Sequence, residues 1–187
     1  MKQFKNYLVI LTFFSSFGLF AQTQYELAST GNKIQVIGTS NLHDWELVSE
    51  QVKGNAELYI EDGKITGIKK VVVTLETMSL ESEKNGLNKN AYRTMNAEAN
   101  PIISFIAFDM GPNGEASGIL NVAGYDKDID FAYTYEFKEG KLFVYCESDV
   151  TFSDFDMQAP SILAGTIKTA EDVQLKMQFV LVTASKP

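Results

Sequence analysis

The chain has 187 residues, a formal net charge of −8 at neutral pH, one histidine and one cysteine. That acidity, with no basic run to offset it, excludes binding to nucleic acid or to an anionic lipid surface by charge alone. A single cysteine cannot form an internal disulfide, so the core must hold without one.

Residues 1–21 read as a cleaved signal peptide. Lys2 and Lys5 precede an apolar run over 7–20, too short to span a bilayer comfortably. Leu19-Phe20-Ala21 supplies a small-residue cleavage site before Gln22, and no cysteine follows to take a lipid anchor. Residues 22–187 are then expected as one domain, periplasmic or secreted, with no stable membrane insertion after cleavage. A domain of this size buries about 70% of its unfolded surface.

From there the pattern is strand after strand, broken by turn residues. Strands are expected over 25–30, 33–40, 55–61 and 64–77. Asp62-Gly63 between the last two is a hairpin signal, because both residues tolerate φ > 0. One amphipathic helix follows, with Leu87, Ala91, Tyr92 and Met95 on a single face. Asn88 is placed to cap its start, and Pro101 forces its end beforehand. From 102 to 110 the period returns to two, with Ile102, Ile106 and Phe108 on one face and Ile103 and Phe105 on the other. Further strands are expected over 116–123, 128–137, 141–152 and 172–182, with a loop over 153–170. Phe131, Tyr133, Tyr135 and Phe137 share one face of their strand. Alternation on nearly every strand means one dry face and one wet face. Antiparallel strands remove their edges by closing into a barrel, although a two-sheet sandwich has the same periodicity. A helix in such a chain either lids the sheet or crosses its surface. A barrel of eight strands is just wide enough to fill with side chains or to hold one small ligand, and periodicity does not separate the two.

Little in the chain suggests catalysis. His43 and Asp44 are neighbours in an extended segment and point to opposite faces, so His43 is expected to be structural, bonded to backbone at a strand end. One histidine and one cysteine far apart make no zinc pattern. Asp126, Asp128 and Asp130 resemble a calcium loop, but Phe131 stands where its glycine belongs and Phe137 where its glutamate belongs. These aspartates, and the pairs Glu81/Glu83 and Asp154/Asp156, read as solvated surface. Cys146 reads as a small core residue. No catalytic residue, metal ligand or cofactor is assigned.

Five segments in order resemble the YceI-like family of secreted bacterial proteins. They are Ile34-x-Val36-x-Gly38-Thr39-Ser40 with His43; 86–96 followed by Asn100-Pro101-Ile102-Ile103-Ser104-Phe105; 116–124; Asp154-Phe155-Asp156-Met157 with Ala159-Pro160; and Glu171-Asp172-Val173-x-Leu175. The chain departs from the family at Gly124-Tyr125-Asp126-Lys127-Asp128, where Gly-x-Thr-Lys-Pro is usual. The resemblance implies an all-β fold: an eight-stranded antiparallel lipocalin-like barrel with one short helix in a crossover. It also implies a polyisoprenoid, quinone or similar long-chain lipid bound in the lumen, and no enzyme activity. On that reading Tyr92 and Met95 point at the mouth, and Ile106, Phe108, Leu120, Val144, Leu175, Met177 and Phe179 line the interior. The alternative is a filled barrel acting as a stress-related interaction module without a small-molecule ligand. A homodimer is left open.

Overall fold

Val173, Leu175, Met177 and Phe179 alternate with Gln174, Lys176 and Gln178 along the last long strand, and these four, with Leu181 beyond them, are buried. The same in-out alternation recurs around a closed sheet. The structure, a computed structural model, describes residues 22–110, 114–162 and 165–184. The expected signal peptide lies outside the described residues, as do 111–113 of one expected turn.

The strands are β1 (Gln22–Leu27), β2 (Lys33–Ser40), β3 (Trp45–Ser49), β4 (Val52–Glu61) and β5 (Lys64–Glu76). The helix α1 (Asn85–Thr94) precedes β6 (Ile102–Met110), β7 (Glu115–Val122), β8 (Tyr125–Lys138) and β9 (Lys141–Thr151). A 3-10 turn (Phe152–Phe155) and the short β10 (Ser161–Ile162) lead to β11 (Ile167–Thr183). All pairings are antiparallel. Eight strands form the ring β1-β4-β5-β6-β7-β8-β9-β11, which closes when β11 returns to β1. The barrel expected from the sequence is therefore the fold, and the sandwich is not.

Closure depends on the 17 residues of β11. Its C-terminal end pairs with β1, Leu27 opposite Leu181, while its middle pairs with β2, Ile34 opposite Met177. The β2–β3 hairpin thus carries the wall on where β1 and β4 stop. Asn32, in the turn between β1 and β2, locks this junction: its Oδ1 accepts from the Val180 amide at 2.9 Å. Three of the hairpins turn on two residues with positive φ, Asp62-Gly63, Ala123-Gly124 and Glu139-Gly140, the geometry that matches strand twist. The departure noted at Gly124 is one of these turns, and Tyr125 already belongs to β8.

Two elements differ from expectation. Residues 45–49 form β3, whose alternation is only five residues long. The expected loop over 153–170 instead holds the 3-10 turn, β10 and the start of β11.

The far end of the barrel is closed by a cluster of Tyr25, Ala56, Leu58, Leu142 and Leu181. There the Tyr135 hydroxyl reaches across from β8 and accepts from the Ile65 amide at 3.1 Å. The other end stays open and carries α1.

Candidate functional site

The open half of the barrel encloses a cavity of about 420 Å³. Its size falls within the range of roughly 300–1,000 Å³ usual for small-molecule sites. The wall is built strand by strand from inward positions: Ile34 and Val36 on β2, Leu75 on β5, Ile103 and Phe105 on β6, and Leu120 on β7. β11 adds Val173, Leu175, Met177 and Phe179. Helix α1 contributes Leu87 and Ala91, and Met95 at its C-terminal cap joins them. Polar lining groups, among them Ser40, His43, Lys84, Asn90 and Thr169, are exposed or half-buried and form the rim. The deep surface is hydrocarbon, which cannot hold water well but can take an apolar chain.

Five of the residues expected at the site line this cavity: Met95, Leu120, Leu175, Met177 and Phe179. Val144 does not. It lines a separate void of about 60 Å³ nearer the closed end. Tyr92 sits at the edge of the helical stripe and turns away from the cavity. Its hydroxyl donates to the Met78 carbonyl at 2.8 Å. Ile106 and Phe108 point outward and are 37% and 50% exposed. A period of two shows that they share a face opposite Ile103 and Phe105 but not which face is inside, and both faces of β6 are apolar. The inward set is Ile103, Phe105 and Ala107.

Asn88 does not cap the helix. Lys84 occupies the cap position, and Asn88 lies buried within the first turns. Its Oδ1 accepts from the Ser82 amide and hydroxyl, both at 2.8 Å, and its Nδ2 donates to the Ser82 carbonyl at 3.1 Å. The helix ends well ahead of Pro101, because Asn96 adopts φ of 47°. The Ala97 amide then donates to Tyr92 and that of Asn96 to Arg93, a Schellman ending with asparagine in the usual glycine place.

Sequence reasoning missed Trp45 and Leu47 on β3, and Phe152, Phe155 and Met157 after β9, all of which line the cavity. Asp154 and Asp156, expected as plain surface, position this last group. Thr151 and Asp154 form a capping box: the Asp154 amide donates to Thr151 Oγ1 at 3.2 Å, and the Thr151 amide to Asp154 Oδ2 at 2.8 Å. Lys127 pairs with the other Asp154 oxygen at 2.6 Å. That lysine contact, then the Thr151 amide, holds the Asp154 carboxyl below its usual range. Asp156 takes a left-handed φ of 52° and accepts from the Tyr125 hydroxyl at 2.9 Å. The signal was available as Thr151-x-x-Asp154, a capping-box spacing.

His43 lies on the rim, in the turn from β2 to β3. Its Nδ1 is 2.8 Å from the Asp44 backbone oxygen, and its own amide donates to Ser40 Oγ at 3.1 Å. Asn41 ties this turn to the start of β11, donating to the Thr166 carbonyl and accepting from the Lys168 amide. His43 therefore bonds backbone at a strand end, as expected. Cys146 is buried on β9, and burial pushes its thiol up to about 12. Among the described residues no cluster of three or more His, Cys, Asp or Glu side chains could hold a metal ion. No described helix is long and apolar enough to cross a membrane.

No family model matches the sequence, and no curated protein is significantly similar to it. Solved structures do share the architecture. BcnA of Burkholderia cenocepacia matches with a TM-score of 0.69 at 14% identity, over 82% of this chain and 98% of that one. A polyisoprenoid-binding domain from Saccharophagus degradans, implicated in plant cell wall breakdown, matches at 0.59 and 9% identity, over 86% and 98%. The Campylobacter jejuni YceI protein matches at 0.57 and 17% identity, over 79% and 85%. This barrel has the YceI fold. At such identities the likeness is one of fold. In this YceI-like barrel the crossover from β5 to β6 carries α1 onto the open end, where Leu87, Ala91 and Met95 reach the cavity.

Proposed function

We propose that this protein is a YceI-family carrier that binds a polyisoprenoid, quinone or similar lipid in the barrel lumen. It works in the periplasm or outside the cell, after removal of residues 1–21. The observation that carries this reading is the cavity of about 420 Å³, apolar in depth and polar only at its rim. The shared fold with a polyisoprenoid-binding domain supports the choice of ligand. Burial contributes about 0.8 kcal/mol per methylene, so ten buried carbons favour binding by on the order of 8 kcal/mol before association costs. The lining offers hydrocarbon and no deep polar group, which suits holding a chain and not transforming it. The same void argues against a filled barrel acting purely as an interaction module.

The test is mass spectrometry of an organic extract from purified protein, alongside Leu120→Trp. The wild type should yield stoichiometric lipid. The variant should fold and yield little, because the indole occupies the cavity. If Leu120→Trp is instead destabilised by about 1–3 kcal/mol, as overpacking costs, and the wild-type extract contains no stoichiometric lipid, the carrier reading fails. N-terminal sequencing of exported protein that found Met1 would refute cleavage.

A further inference from the structure

The lumen is divided in two. Val73, Phe105 and Phe179 line both the 420 Å³ cavity and the 60 Å³ void, so their side chains make the wall between. Val73 and Phe105 stand directly opposite each other on β5 and β6, and Phe179 comes from β11. The Phe105 ring is tightly held. It meets Phe131 edge-on, with centroids 5.1 Å apart and planes at 80°, a favoured aromatic geometry. Its edge rests on Gly118 of β7, where an added Cβ would lie 2.6 Å from Phe105 Cε2. Only glycine leaves that shelf. Gly118 belongs to the segment 116–124 singled out in the sequence, and its place under Phe105 gives that glycine a physical role.

We propose that Phe105, seated on Gly118 and against Phe131, is a chain-length stop that sets how deep an apolar ligand enters. The proposal rests on the lumen being a lipid site. A cavity of about 150 Å³ takes one benzene, so 420 Å³ takes the carbon of about three such rings. That is the bulk of a farnesyl chain. Carbons beyond that bulk stay at the mouth in solvent. Each buried methylene raises affinity roughly fourfold, and each one left outside adds nothing. Affinity should therefore depend steeply on length up to the stop and weakly after it. A long polyisoprenoid would be gripped by its first units only, with the remainder leaving through the rim.

The experiment is displacement of a fluorescent naphthylamine from delipidated protein by geraniol, farnesol, geranylgeraniol and geranylfarnesol. Wild-type affinity should rise by up to about a thousandfold from geraniol to farnesol, five more carbons at roughly fourfold each, and then level off. Phe105→Ala joins the two voids and should move the plateau to geranylgeraniol. Phe105→Leu, which keeps more of the packing, should move it part-way if the alanine variant does not fold. A wild-type affinity that climbs by equal steps through geranylfarnesol overturns the stop and leaves the lipid site standing. A folded Phe105→Leu with its plateau still at farnesol overturns it too. If no alcohol displaces the probe, the lipid-site reading falls and takes the stop with it.

Discussion

Asp154 holds the 3-10 turn beside the cavity through the Thr151 amide and Lys127. Because its folded pKa is depressed, it stabilises the fold above the ordinary carboxylate range of about 3.9. That contribution is lost as pH falls through the folded value. Asp154→Asn should cost about 0.5–2 kcal/mol at neutral pH, the usual worth of a cap. In urea titrations the gap between wild type and variant should close as the buffer is taken below about pH 4. Outward residues should behave in the opposite way. Ile106→Ser and Phe108→Ser should change stability by no more than about 0.5 kcal/mol and leave extracted lipid per folded molecule unchanged. A large loss of lipid in either would put that face back into the site. Cys146 combines burial with a thiol pushed up to about 12, so a disulfide reagent at mild alkaline pH should modify it only after denaturant is added.

The helix is attached at both ends by asparagines. Asn96 ends it by taking the left-handed conformation, and Asn88 clasps Ser82 through three hydrogen bonds. Asn88→Ala removes three hydrogen bonds to the half-buried Ser82, at a cost of about 1–3 kcal/mol. The loss should be local. Hydrogen exchange should quicken over 82–94 while β9 and β11 stay protected, because the ladders of the ring do not depend on α1. If exchange quickens evenly across the barrel, the helix is part of the global folding unit and not a separately opening element. Tyr92→Phe removes the bond to Met78, worth about 0.5–1.5 kcal/mol, without changing the cavity wall.

At the scale of the whole molecule, one long strand closes the ring and the ring encloses a space lined in depth by apolar side chains. Ligand entry should therefore show the mark of buried apolar surface. Calorimetry with farnesol at several temperatures should give a negative heat-capacity change on binding. A change near zero, with heat dominated by buffer protonation, would place the ligand on the polar rim instead.

The sequence by itself determined the strand periods, the Asp62-Gly63 turn, the single helix and the β class, because each is a local consequence of spacing and backbone preference. It also determined the inward set Val173, Leu175, Met177 and Phe179 on β11, where the opposite face carries Gln174, Lys176 and Gln178. On β6 both faces are apolar, so only the tertiary structure decided that Ile103 and Phe105 face in and Ile106 and Phe108 face out. Tyr92 was ambiguous for a similar reason: it borders the helical stripe, and its hydroxyl finds a partner in Met78 only once the chain is folded. Val144 faces inward as expected, yet lies below the wall of Val73, Phe105 and Phe179, a division that side chains from three distant strands create together. Whether the lumen is hollow depends on how those side chains meet across the barrel, and no spacing along the chain encodes that.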